Sequence, residues 1–260
     1  MRIAYERRGS GTPLVLIHGI GHHWRAWEPV LDRLAESHDV IAIDLPGFGC
    51  SPVPDGGMPD GMGPTVALLR RWLAREGLDR PHVAGNSLGG AIALELAAAG
   101  LAASATAFAP AGFWRRWHVA YALTVLNTLR WGTMLPSPLV RAHLSARTGR
   151  SLAFGMLMRH PGRLTAERAT ADALAMRDAP GFRPVARTAA AYRYRGTPTV
   201  PVTVAWGDRD RILLPAQAAT ARRALPHATH ITLPHCGHVP MSDNPTLVTT
   251  TILSTTTTAL

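Results

Sequence analysis

The chain has 260 residues, 47% of them hydrophobic and 17% charged, which suffices for one α/β domain with a substantial core and excludes disorder over most of its length. Its net charge of +10 comes from arginine without any lysine and is local: residues 113–196 hold 14 arginines against Glu167, Asp172 and Asp178, whereas the rest holds 13 arginines against 14 acids. No aromatic-and-basic signature or zinc finger accompanies that segment, so nucleic acid is not the expected partner, and two readings remain: a solvated helical surface, or one that attracts anionic substrates or a membrane surface.

Along the chain, strand-like and helix-like patterns alternate. The first 19 residues lack the apolar core of a signal peptide, and the apolar run from Ala91 to Trp114 is interrupted by Glu95, Gly100, Pro110 and Gly112, so a cytoplasmic chain without a membrane span is expected. Residues 13–19 and 39–47 read as strands, and 27–36 between them as a helix. A helix over 63–77 stops at Gly77. Next come a strand at "PHVAGNS", a helix at "LGGAIALELAAAG" and a strand at "ASATAFAPAG". After 113–196, whose helix-like stretches are punctuated by prolines, the alternation resumes with 200–210, 215–226 and 228–238. A threonine-rich tail follows; its helix would rest on Leu247, Val248, Ile252 and Leu253 and fray at the end, because β-branched threonine is a poor helix former. Strand, crossover helix, strand predicts a mainly parallel sheet covered on both faces.

The stretch from Gly85 to Gly89 fits G-x-S-x-G with a strand before it and a helix after it. A serine on so sharp a turn needs small neighbours two residues away on each side, and Gly85 and Gly89 supply them. Ser87 is therefore the candidate nucleophile, and the Leu88 N–H at the start of the following helix is a candidate oxyanion donor. A serine hydroxyl needs a base, and His238 in "HCGHVP" follows the last predicted strand; His235 is its local rival. The base needs an acid, and "GDRDRILLP" offers Asp208 and Asp210 between serine and histidine in the chain. Asp210 is preferred, with Asp208 capping the turn. A second oxyanion donor is expected from the glycine-rich loop "HGIG", at the Ile20 N–H, with His18 bracing that loop. Cys50 and Cys236 form no disulfide framework or zinc spacing, and each reads as a small buried thiol.

The ordered set "HGIG", "DLPGFGCS", "GNSLGG", "GDRDRILLP" and "GHVPMSDNP" resembles the α/β-hydrolase superfamily, and especially its esterase-like and C–C-bond hydrolase members with a helical lid after the sixth strand. The resemblance implies a core formed by 1–112 and 197–260 and a lid formed by 113–196, in which Trp114, Trp117, Tyr121 and Trp131 are lid core or pocket wall. Serine at position 87 differs from the aspartate of haloalkane dehalogenases and epoxide hydrolases. Val239 stands where C–C hydrolases of meta-cleavage products typically have tryptophan. The expected activity is cleavage of a small-molecule carboxylic ester through an acyl-enzyme, with no cofactor and no metal. The alternatives are C–C bond hydrolysis of vinylogous diketone acids and ligand binding with weak turnover.

Overall fold

Short β-branched runs closed by glycine, proline or aspartate become strands, and longer runs with apolar residues at helical spacing become helices. The computed structural model describes residues 2–259. In chain order these form β1 (Tyr5–Arg8), β2 (Thr12–Ile17), α1 (Glu28–Ala35), β3 (His38–Ile43), α2 (Met62–Arg75), β4 (His82–Asn86), α3 (Leu88–Ala98) and β5 (Ser104–Phe108). Helices α4 (Arg116–Gly132), α5 (Ser137–Ser145), α6 (Arg147–Phe154), α7 (Ala166–Asp178) and α8 (Phe182–Ala189) follow before the next strand. The chain ends with β6 (Val202–Gly207), α9 (Ala216–Ala224), β7 (Thr229–Leu233), α10 (Pro240–Asp243) and α11 (Pro245–Thr257).

The seven strands lie in the order β1-β3-β2-β4-β5-β6-β7, and every neighbouring pair is parallel except β1 with β3. Successive strand residues point to opposite faces, so the apolar runs feed two cores. Leu14, Leu16 and Val40 pack with Leu31 and Leu34 of α1 and Val248 and Ile252 of α11. Val15, Ile17 and Ile41 pack with Leu69 and Trp72 of α2 and Ile92 of α3. Each such fully buried side chain contributes about 1.5–3 kcal/mol relative to exposure. Among the described residues no helix is long and apolar enough to cross a membrane.

Three features depart from the sequence expectations, and the tail helix forms as expected. The first strand, "YERR", carries no apolar alternation because it is a sheet edge; it is held antiparallel to β3, and Arg7 forms a 2.6 Å ion pair with Asp39. The tail helix rests on Val248 and Ile252 as expected: α11 runs to Thr257, the Thr251 and Thr255 hydroxyls bond carbonyls four residues back, and Thr255 also meets the Thr203 hydroxyl of β6 at 2.7 Å. Burial thus outweighs threonine's weak helix propensity. Cys50 is exposed, while Cys236 is buried and its thiol is pushed up to about 12 by burial. Trp117 and Trp131 are neither core nor pocket wall but lie exposed, 56% and 84% accessible.

Candidate active site

Because β2, β4, β6 and β7 share one direction, the loops after their C-terminal ends gather at one edge of the sheet, where ligands of open α/β sheets bind. Four of the candidate residues lie on these loops. Ile20 follows β2, Ser87 follows β4, Asp210 follows β6 and His238 follows β7.

Ser87 has φ 59° and ψ −114°, a conformation that costs a non-glycine residue on the order of 1–3 kcal/mol. Flanking contacts hold it there. Its N–H donates to the Phe108 carbonyl at 2.9 Å, and its carbonyl accepts from the Ala111 N–H at 3.0 Å. A Cβ on Gly85 would overlap the Gly89 carbonyl, and one on Gly89 would overlap the Ile17 carbonyl, so the turn closes only with glycine at both positions. Leu88 is the first residue of α3, and its N–H has no intrahelical acceptor. The loop after β2 reaches the same turn: a Cβ on Gly19 would lie 3.2 Å from the Ser87 Cβ.

His18 behaves as expected of a loop brace. Its Nδ1–H donates to the Gly19 carbonyl at 2.7 Å and its Nε2 accepts from the Leu45 N–H at 2.9 Å. Burial lowers its pKa to about 4, so the ring is neutral and suited to both bonds.

The loops after β6 and β7 are joined to each other. The Arg209 N–H donates to the Cys236 carbonyl at 2.9 Å and the Asp208 N–H to the Leu233 carbonyl at 3.1 Å. This juxtaposition sets the Asp210 Oδ2 2.8 Å from the His238 Nδ1, with both side chains buried. The other oxygen, Oδ1, accepts from the Ile212 N–H at 2.8 Å and the Leu213 N–H at 2.9 Å, which fixes the carboxylate plane. Asp208 is half-buried, with its carboxylate 3.7 Å from the Arg209 guanidinium and, among the described residues, no hydrogen bond or ion pair to His238. His235 is exposed.

Two further residues complete the arrangement, and the sequence reading gave neither a role. Asn86, beside Ser87, donates from its amide to the His238 carbonyl at 2.9 Å. Asp243 accepts from the Gly237 N–H at 2.7 Å and also from the Arg159 and His160 N–H groups at 2.8–2.9 Å. It thereby ties the loop carrying His238 to the segment between α6 and α7. No local pattern distinguishes these residues from ordinary loop or cap residues, since the bonds that join separate segments here span 83 to 152 positions.

Two cavities flank the site. One of about 60 Å³ is lined by Leu88, Ile92, Phe48 and Trp114, whose indole N–H donates to the Tyr192 carbonyl at 3.0 Å. The other, of about 310 Å³, has Gly21 and Val239 in its wall, each one residue from a candidate site residue, facing Leu129, Leu144 and Met176 of α4, α5 and α7.

A strained serine at a strand-to-helix turn, with a paired histidine and aspartate at the same sheet edge, accords with a match between residues 14–250 and the family model described as "Alpha/beta hydrolase family". The chain belongs to that family. This α/β hydrolase is 37% identical over 101 residues to a pimeloyl-[acyl-carrier protein] methyl ester esterase of Aeromonas hydrophila, an alignment covering 37% of this chain and 36% of that protein. It is 39% identical over 97 residues to a soluble epoxide hydrolase of Corynebacterium sp., covering 37% and 33% respectively. These alignments span about a third of the length of the relatives. Over 99% of this chain and 83% of the other, the structure resembles that of a bacterial membrane phospholipase A, with TM-score 0.76 and 25% identity.

Proposed function

We propose that this protein is a serine hydrolase that cleaves a carboxylic ester through an acyl-enzyme. Ser87 Oγ attacks the ester carbonyl while His238 Nε2 takes its proton, and the Ile20 and Leu88 N–H groups hold the developing oxyanion. The tetrahedral intermediate collapses, and His238 returns the proton to the departing alcohol. A water molecule, deprotonated by the same histidine, then attacks the acyl-serine, and the acid is released as His238 gives that proton to the departing Ser87 Oγ. Asp210 keeps the proton of His238 on Nδ1 and stabilises the imidazolium that forms in each half-reaction. These steps require only side chains, backbone N–H groups and water.

The observation that carries the reading is the Asp210–His238 pair, whose histidine loop is held by the side chain of Asn86, the residue next to the strained Ser87. The ester chemistry named for the Aeromonas relative supports the choice of bond. In this reading residues 113–196 act as a lid over the site and their arginines draw anionic substrates toward it. The test is a series of p-nitrophenyl esters from acetate to palmitate, run beside fluorophosphonate labelling and dienone acids. Ester turnover with one labelled serine, Ser87, is the expected result. Turnover of dienone acids without ester hydrolysis would replace this reading by C–C bond cleavage.

A further inference from the structure

The cavity of about 310 Å³ is lined mostly by apolar side chains, and its polar lining comprises His22, Asp172, Thr128, Thr133 and His143. The Asp172 side chain is 3% accessible. Its Oδ1 accepts from the His23 Nε2–H at 2.9 Å and the Arg168 Nε–H at 2.8 Å, whereas its Oδ2 has no hydrogen-bond partner among the described residues. The nearest candidate, His22 Nε2, stands 3.8 Å from Oδ2, beyond hydrogen-bond range.

The proton on His22 can be assigned from its neighbours. Its Nδ1 accepts the His23 N–H at 3.0 Å. Burial lowers the pKa of this imidazole to about 3, and a neutral ring that accepts at Nδ1 carries its hydrogen on Nε2. An unused donor and an unused acceptor among the described residues therefore stand side by side at a mostly apolar cavity.

Two kinds of guest could use such a pair, and the geometry separates them. The nitrogens of His22 and His23 and the Asp172 carboxylate lie within 4.8 Å of one another, a spacing that could hold a metal ion. Metal binding at His22 Nε2 would move the ring proton to Nδ1, against the His23 N–H, and would set the ion beside the Arg168 guanidinium. A hydroxyl group meets no such conflict, because one oxygen can both donate and accept.

We propose that this cavity recognises a hydroxyl-bearing aliphatic chain, whose O–H donates to Asp172 Oδ2 and whose oxygen accepts from His22 Nε2–H. That such a chain belongs to the substrate rests on the ester-hydrolase reading, which would then act on hydroxylated aliphatic esters; the binding itself does not.

The experiment measures binding without turnover. Ser87→Ala protein is titrated calorimetrically with 1-hexanol and with its methyl ether, which accepts but cannot donate. The alcohol should bind at least about tenfold more tightly. Asp172→Asn turns the acceptor into an amide donor, because Oδ1 must still accept from Arg168 and His23, so the preference should vanish and the ether should gain. Since Asp172 is buried beside Arg168, His22→Leu serves as a second variant, and it should weaken alcohol binding while circular dichroism reports an intact fold. Equal binding of alcohol and ether to the parent protein overturns the proposal, as does a preference that survives both changes. Stoichiometric zinc uptake that depends on His22 would assign the site to a metal instead. Loss of ester turnover with the alcohol preference intact would overturn the hydrolase reading alone.

Discussion

The side chain of Asn86 donates to the backbone carbonyl of His238 at 2.9 Å, so the residue beside the candidate nucleophile holds the loop that carries the candidate base. The same amide approaches the Phe108 carbonyl at 3.3 Å. A side-chain bond across 152 positions thus sets the separation of two groups whose reaction tolerates little error. A misplacement of about 1 Å costs on the order of 100-fold in rate. Asn86→Ala should lower kcat by roughly 10- to 100-fold while slowing, but not abolishing, fluorophosphonate labelling of Ser87. Unchanged kcat would mean that other contacts position the histidine loop.

The two aspartates of the β6 loop should separate sharply. Asp210 accepts from His238 and from two backbone N–H groups, whereas Asp208 faces Arg209. Asp210→Asn should cost on the order of 10³–10⁴ in kcat and Asp208→Asn less than about tenfold. Steady-state kinetics on one p-nitrophenyl ester decides the matter, and a reversed order would remove Asp210 from its role.

Backbone strain at Ser87 makes a stability prediction opposite in sign to the activity prediction. Glycine adopts φ 59° without the Cβ penalty, at the cost of a floppier unfolded chain. Ser87→Gly should abolish labelling, lower kcat by at least about 10⁴-fold and raise stability by about 1 kcal/mol over Ser87→Ala. Urea melts of the two variants provide the comparison. Equal midpoints would show that the turn stores no such strain.

Acid should destabilise the fold well before its surface carboxylates are all protonated. Burial lowers His18 to about 4 and His22 to about 3. Burial opposes ionisation of Asp172 too, yet His22, His23 and Arg168 hold its carboxyl at about 2. Below pH of about 6.5 the unfolded histidines take up protons that the folded ones refuse, so stability present at neutral pH is lost as pH falls. Asp172 adds a loss between about pH 4 and pH 2. The urea midpoint should therefore drop from pH 7 to pH 4.5, with a limiting slope of about 1.4 kcal/mol per pH unit for each histidine. His22→Leu should flatten that slope; an unaltered slope would count against a buried neutral His22.

The arginine-rich segment predicts a salt effect confined to charged substrates. With 14 arginines against three acids in residues 113–196, a one-signed field near the site should raise the association rate of anionic esters. The screening length shortens to about 8 Å at physiological ionic strength, so kcat/KM for an acidic ester should fall several-fold between about 20 mM and 300 mM salt. A neutral ester with the same leaving group serves as the control. Equal sensitivity in both would mean that the arginines only solvate the helices.

What the sequence determined by itself was local. Gly85 and Gly89 flank Ser87 because the turn brings their Cα atoms against backbone carbonyls, and that requirement is written in five consecutive residues between a strand pattern and a helix pattern. Strand alternation likewise announced a parallel sheet, and hence a common edge for the loops carrying Ile20, Ser87, Asp210 and His238. Only the tertiary structure decided which distant groups meet there. It put Asn86 on the His238 carbonyl, Asp243 between the histidine loop and the helices before β6, and His22 beside Asp172. It also made a strand of "YERR", against its local preference, and put the Thr255 hydroxyl of the tail helix on Thr203 of β6. The reason is physical: turn sterics and side-chain periodicity act within a few residues, whereas these pairings depend on sheet register and on how the segments around α6 and α7 meet the loops, and neither leaves a local trace in the chain.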